Sequence, residues 1–310
     1  MMAGRVACAP MPFALFANAC LLATRTIRIF LHRSRRAACA TQSKVDQRMN
    51  NSWDRWIQRA DGLAAKMPEA SELLTFYSRL LRLQKEVYEY LQSRRGWLPS
   101  GALEQDLPVL RVMLPEFLTA LQSNAPDALA NEARHLLNTT ATALDEMLLA
   151  FWRAPSDEQF FAKAFLQPYA RWLAEAGAKP GDRGIGVGDN RCPFCAGNPQ
   201  LAVLRLDEPG ADVGSRKLLC SLCLTEWTFR RVVCASCGEE RAPQLGYFQA
   251  EQLDYVRIDV CESCKHYIKS IDLTHLGLAV PLVDEVATAA LDLWAHERGY
   301  TKIEMNLVGL

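Results

Sequence analysis

Eight cysteines carry the most specific chemistry in this chain. They fall as four Cys-x-x-Cys pairs: Cys192/Cys195, Cys220/Cys223, Cys234/Cys237 and Cys261/Cys264. One such turn lets two thiolates converge, and two turns supply the four sulfurs of a tetrahedral metal site. There are 24 residues between Cys195 and Cys220, and 23 between Cys237 and Cys261. This near-equal spacing is an internal repeat, on the plan of a zinc ribbon with a slightly long loop. A thioredoxin-like dithiol needs one motif opening a helix beside a strand, not four copies at repeated spacing. Metal knuckles need reduced thiolates, which points to a reducing compartment. All-thiolate sites suit zinc or a single iron, and the ligands alone do not separate them.

The pairing of the four turns follows from what lies between the second and third. "LTEWTFRRVV" (224–233) contains no Gly, Pro, Asn or Asp and is rich in strand formers. A ten-residue strand would span roughly 33 Å, so cysteines at its ends cannot share one ion with bonds of about 2.3 Å. The simplest outcome is sequential. Site 1 is then Cys192, Cys195, Cys220 and Cys223, and site 2 is Cys234, Cys237, Cys261 and Cys264. A crossed pairing, first with third and second with fourth, also satisfies the argument.

Other chemistry is sparse. Asp145 and Glu146 are adjacent and point apart on a helix. His135 sits on an ordinary helical stretch, and His296-Glu297 lacks the second histidine of a zincin. No catalytic residue is expected, and the chain does not read as an enzyme. Lys+Arg and Asp+Glu both number 35. From Arg191 to Ile271 ten basic residues face ten acidic ones. A nucleic-acid module should show a basic excess, so a protein partner is expected instead, with no nucleic acid and no membrane. The alternative is a double zinc ribbon that binds nucleic acid or scaffolds a complex.

The elements that must position the cysteines begin near Ser52. Apolar residues recur at helical spacing to about Ala176. A break is expected at Pro115, and one helix is expected from Pro126 through "ALANEARHLLNTTATALDEMLLAFW". Ser156 with Gln159 reads as a capping box before "FFAKAFLQPYARWLAEAG", which Pro168 should kink and Gly177 should end. Residues 178–190, with Gly184, Gly186 and Gly188, read as a flexible Gly-rich linker. A C-terminal helix should open at Pro281. The expected fold class is therefore α+β. It comprises an N-terminal helical bundle (49–177), a linker (178–190), a tandem metal-ribbon region (191–271), and a C-terminal helix and tail packed on it (272–310).

The first 48 residues read differently. The apolar stretch 11–23 is too short to span a bilayer, most of its basic residues follow it, and no acidic residue precedes Asp46. A non-native or disordered extension is expected, with Met49 as the true start.

With these residues in view, the chain resembles the FdhE family of formate dehydrogenase accessory proteins. The likeness lies in a helical first half followed by "CPFCAGNPQ", "LLCSLCLTEWTFRRVVCASCG" and "VCESCKHYIKSID". It covers about Ser52 to the C-terminus. The resemblance implies a cytoplasmic protein that binds the molybdenum-containing catalytic subunit before its export. It also implies a rubredoxin-like, iron-binding character with a proposed redox role. The family's eight cysteines map onto all eight here. Rubredoxin knuckles tend to carry Gly just after the second Cys. Here only Cys237 is followed by Gly, with Gly197 one place later in the first knuckle. Two metal ions, iron or zinc, are expected.

Overall fold

The structure is a computed structural model that describes residues 52–94, 96–183, 188–206 and 214–310. The expected start at Met49 and everything before it lie outside the described residues.

Among the described residues, seven α-helices precede the first strand. They are α1 (Ser52–Ala64), α2 (Ser71–Ser93), α3 (Leu103–Leu110), α4 (Leu114–Asn124), α5 (Asp127–Leu137), α6 (Ala141–Arg153) and α7 (Phe160–Ala176). The α3–α4 boundary falls at Pro115, as expected. The stretch after Pro126 is two helices rather than one. Its break lies at Asn138–Thr140, where the Thr140 hydroxyl accepts from the Ala143 N–H and caps α6. The expected capping box is absent, because α7 starts one residue after Gln159, whose side chain makes no cap.

α7 is the centre of the bundle. Every residue from Phe160 to Ala170 is buried, Lys163 and Gln167 included, the pattern of a helix surrounded on all sides. Pro168 lies inside it and has no N–H to offer the Ala164 carbonyl. The buried Gln84 side chain on α2 fills that role at 2.8 Å. The same amide donates to Gln167 Oε1 at 3.0 Å, and Gln167 Nε2 donates to the Ser221 carbonyl at 2.9 Å. Gln84→Ala leaves the Ala164 carbonyl buried and unpaired. The expected cost is about 1–3 kcal/mol, seen as a lower urea midpoint at unchanged slope.

Among the described residues, the second half forms one seven-stranded sheet of order β3-β2-β1-β6-β5-β4, with β7 also paired to β6. The strands are β1 (Pro199–Arg205), β2 (Ser215–Cys220), β3 (Glu226–Phe229), β4 (Leu245–Gln249), β5 (Val256–Cys261), β6 (His266–Asp272) and β7 (Thr301–Lys302). The sequence repeat is a structural repeat: knuckle, two antiparallel strands, knuckle, third strand, twice over. The two units join where β1 runs parallel to β6, from Leu201↔Lys269 to Leu204↔Asp272.

The expected ten-residue strand between the units is only four residues long, Glu226–Phe229. The chain then turns at Arg231–Val233 without any of the usual turn residues. The buried Arg216 side chain supplies what the local sequence lacks. Its Nη1 donates to the Val233 carbonyl at 2.9 Å and to the Arg230 carbonyl at 3.4 Å.

The two halves share a core. One apolar cluster runs from Trp53 and Leu173 in the helices to Ala202, Leu218 and Ile268 in the sheet. The described part of the segment between them is anchored, not the free hinge its composition suggests. Asp182 accepts from the Leu103 N–H and from Trp152 Nε1, both at 2.8 Å. Arg183 donates to the Trp152 carbonyl at 2.7 Å and to the Cys195 carbonyl at 2.9 Å. Gly184 and Gly186 lie outside the described residues.

The expected C-terminal helix is two, α8 (Pro281–Ala287) and α9 (Ala289–Glu297), divided at Thr288. They cover one sheet face through a buried charge cluster. Lys269 Nζ lies 3.1 Å from Glu285, and Lys302 Nζ lies 3.1 Å from Asp292; Lys269 also contacts Asp292, and Lys302 contacts Glu285. Tyr267 Oη donates to Asp292 at 2.8 Å, and Asn306 Nδ2 donates to Glu285 at 2.8 Å. Burial alone would raise the Glu285 pKa, but the two ammonium groups hold it down at about 2. Arg59 on α1 reaches Asp284 on α8 with Nε at 2.9 Å, which ties the helical half to the same cover.

Candidate metal centres

The eight cysteine sulfurs gather into two groups of four, each with all sulfurs within 4.8 Å of one another. The groups are Cys192, Cys195, Cys220 and Cys223, and Cys234, Cys237, Cys261 and Cys264. The pairing is sequential, not crossed. In the first group Cys192 Sγ lies 3.5 Å from Cys223 Sγ, and Cys195 Sγ lies 3.4 Å from Cys220 Sγ. In the second the matching distances are 3.7 Å for Cys234–Cys264 and 3.8 Å for Cys237–Cys261. A disulfide would need about 2.05 Å. A tetrahedron with metal–sulfur bonds of about 2.3 Å puts its sulfurs roughly 3.8 Å apart. The residues therefore fit a tetrathiolate metal.

The strand register builds each group. β1 pairs with β2 so that Pro199 lies opposite Cys220, which brings the first knuckle to the second. β4 pairs with β5 so that Leu245 lies opposite Cys261, which does the same for site 2. Each knuckle ends on a left-handed residue right after its second cysteine: Ala196 (φ 59°), Leu224 (φ 56°), Gly238 (φ 76°) and Lys265 (φ 58°). One is glycine and three are not. The conformation costs a residue with a side chain about 1–2 kcal/mol and persists where the surroundings over-determine it. All four turns thus keep the backbone that glycine favours, whatever residue occupies the position. Closing bonds recur too: Ala196 N–H to the Cys192 carbonyl at 2.9 Å, Gly238 N–H to Cys234 at 3.0 Å, Lys265 N–H to Cys261 at 2.8 Å.

Backbone N–H groups point at the sulfurs. Leu222 N–H donates to Cys220 Sγ at 3.4 Å, Ser236 N–H to Cys234 Sγ at 3.4 Å, and Cys237 N–H to Cys234 Sγ at 3.5 Å. Such bonds stabilise thiolates and tune a bound metal. Donation from Cys195, and then from Cys220 and Cys223, holds the Cys192 thiol well below its ordinary range. Burial pushes the Cys220 thiol well above it and raises Cys234 to about 12. Four thiolates this close repel one another unless a cation sits among them.

The groups differ in setting. All four cysteines of site 1 are buried and belong to the core cluster shared with the helices. In site 2 Cys237 is exposed and Cys264 half-buried. Three polar side chains support the knuckles and carried no signal in sequence spacing. Gln167 holds the Ser221 carbonyl, Arg183 holds the Cys195 carbonyl, and Asn190 donates to the Ser236 carbonyl at 2.8 Å. Asn190 precedes the first knuckle and Ser236 lies in the third, so this bond links the two sites directly.

Gly197 is required by close approach. A Cβ there would sit 2.9 Å from Cys220 Sγ and 3.3 Å from Cys195 Sγ. Gly197→Ala is expected to lose the metal of site 1 or bind it at least tenfold more weakly, with site 2 unchanged. Competition with a chromophoric chelator measures this; two equally tight sites in the variant would contradict it.

His135, Asp145, Glu146, His296 and Glu297 fall in neither group. Asp145 pairs with Arg111 at 2.8 Å as an ordinary ion pair. No described helix is long and apolar enough to cross a membrane.

Comparison with known proteins adds to this geometry. The model of the FdhE central domain matches residues 191–231, and that of the FdhE C-terminal domain matches residues 232–308. The boundary between the two falls in the turn that Arg216 holds, so each match takes one ribbon. The FdhE homolog of Aquifex aeolicus (strain VF5) is 29% identical over 270 residues, covering 82% of this chain and 94% of that one. That of Haemophilus influenzae (strain PittEE) is 29% identical over 276 residues, covering 83% and 87%. The crystal structure of the FdhE protein from Pseudomonas aeruginosa aligns with a TM-score of 0.62 at 23% identity, over 83% of this chain and 95% of that one. At that identity it speaks for the fold, which is the same.

Proposed function

The chain belongs to the FdhE family, and from that premise we propose that it is an accessory protein in formate dehydrogenase maturation. It binds the catalytic subunit in the cytoplasm and carries a metal ion in each cysteine group. The observation that carries this reading is the pair of four-sulfur clusters, set on duplicated ribbons inside a fold shared along most of the chain with an FdhE protein. The ligands would be Cys192, Cys195, Cys220 and Cys223 at one centre, and Cys234, Cys237, Cys261 and Cys264 at the other. Bound zinc would supply a structural clip, and bound iron a one-electron couple as well.

The chain's own residues define what each centre can do. Site 1 is sealed in the shared core, and Gln167 and Arg183 hold its knuckle carbonyls. It fixes the sheet on the helical half. Site 2 has a sulfur in contact with solvent and is the centre within reach of a client. The test is co-purification of the tagged chain with the formate dehydrogenase catalytic subunit. A stoichiometric complex is expected. Its absence, together with tight salt-sensitive binding of RNA or DNA, would favour a nucleic-acid ribbon instead.

A further inference from the structure

We propose that the outer edge of β4 is the docking strand for an extended segment of the client polypeptide, and that this segment presents a carboxylate to Arg231. This rests on the reading above that the client is the formate dehydrogenase catalytic subunit.

β4 ends the sheet, and no described strand pairs with its outer edge. An open edge with unpaired N–H and C=O groups is normally guarded by charge, proline or a bulge. "LGYFQ" has none of these, and it pairs with β5 in unbroken register from Leu245↔Cys261 to Gln249↔Arg257. Leu245 is half-buried and the other side chains are exposed, with Tyr247 at 61% and Phe248, which packs edge-on against Trp294, at 41%. The opposite end of the sheet differs: β3 carries the charged Glu226, and its Trp227 and Phe229 are buried. An unguarded aromatic edge suits strand addition, in which main-chain bonds give affinity and flanking pockets give selectivity.

Such a pocket lies beside the edge. A cavity of about 260 Å³ is lined by Gly246, Tyr247, Arg257, Arg216 and Arg231, with Cys234 and Cys261 of site 2 at one side. Its charge decides what it accepts. Arg216 and Arg257 share Asp259, at 3.4 Å and 2.8 Å. Arg257 is also stacked over the Tyr247 ring at 5.2 Å. Arg231 has no carboxylate partner among the described residues. It is exposed, and its Nη1 donates to the Gly214 carbonyl at 2.7 Å. A guanidinium in this state takes a carboxylate by paired N–H donation. Exposed Val232, 61–62% open like Tyr247, adds an apolar shoulder beside it. The fitting occupant is therefore an extended peptide with an apolar residue next to an Asp or Glu.

The experiment uses the full chain and the purified catalytic subunit, with hydrogen exchange and binding read together. In the complex the amides of Leu245–Gln249 are expected to slow at least tenfold. Tyr247→Lys and Arg231→Glu should each weaken the complex at least tenfold while melting temperature and metal content stay at wild-type values. Thr228→Lys on the other edge should leave binding unchanged. A complex that forms with unaltered affinity in both variants, and with β4 exchanging as in the free chain, overturns this proposal and leaves the accessory role standing. Failure of the wild-type chain to bind the subunit overturns both. Concentration-dependent protection of β4 in the chain alone would assign the edge to self-association and also overturn the proposal.

Discussion

Cys220→Ser is expected to prevent the chain from folding, whereas Cys237→Ser leaves it folded with one metal lost. Cys220 opens the second knuckle of the first ribbon, whereas Cys237 closes the first knuckle of the second. Cys220 is fully buried and sits in the cluster that joins Trp53, Leu173 and Phe165 to the sheet. Its sulfur accepts from the Leu222 N–H and lies against Cys195. Structural tetrathiolate sites contribute on the order of 10 kcal/mol of folding free energy when metal binds, as much as the whole net stability of a typical domain. Breaking site 1 removes that contribution and also opens the interface between the halves. Cys237 is exposed, and no cysteine of site 2 belongs to the shared core. Circular dichroism and metal content of the two variants measure the contrast. Two variants that melt alike would contradict the division into a buried structural centre and an exposed one.

Lys269→Met is the other substitution with a large expected effect. The Lys269 side chain is wholly buried between Glu285 and Asp292. With it gone, one ammonium, Lys302, must answer two buried carboxylates. Breaking a buried pair from one side costs about 3–5 kcal/mol. The sign with pH follows from Glu285, whose pKa is held near 2, below its ordinary 4.5. A carboxyl depressed on folding stabilises the protein above its unfolded value, and that stability is lost as pH falls towards 2. In Lys269→Met part of the depression is removed, so the acid limb of the stability curve should move to higher pH. Denaturant midpoints at pH 3, 5 and 7 test both claims. A variant as stable as wild type at all three would show that the cluster is not holding α8 and α9 on the sheet.

Much of this was legible before any coordinates. The four knuckles and their repeat at 24 and 23 residues were plain. The sequential pairing, however, was reached through a ten-residue strand that is only four residues long. The crossed pairing stayed open because only the strand register excludes it. What the sequence did not reveal is what distant side chains supply. The turn at Arg231–Val233 has no turn residue because Arg216, on another strand, holds its carbonyls. The scarcity of glycine after the knuckles hid the uniform left-handed backbone that Ala196, Leu224 and Lys265 adopt. The helix from Pro281 read as continuous because Thr288 is a tolerable helix residue; its hydroxyl bonds the Asp284 and Glu285 carbonyls at 3.0 and 3.1 Å where the helix breaks. The burial difference between the two cysteine groups depends on the helical half closing over one of them, which local pattern does not encode.

The central claim is that each cysteine group holds its own metal. Anaerobically purified full chain, analysed for metals and by X-ray absorption at the metal edge, tests it most directly. Two ions per chain, each with four sulfur neighbours at about 2.3 Å, and one ion remaining in Cys237→Ser, are the result expected. One ion per chain in the wild type, or oxygen and nitrogen neighbours in place of sulfur, would contradict it.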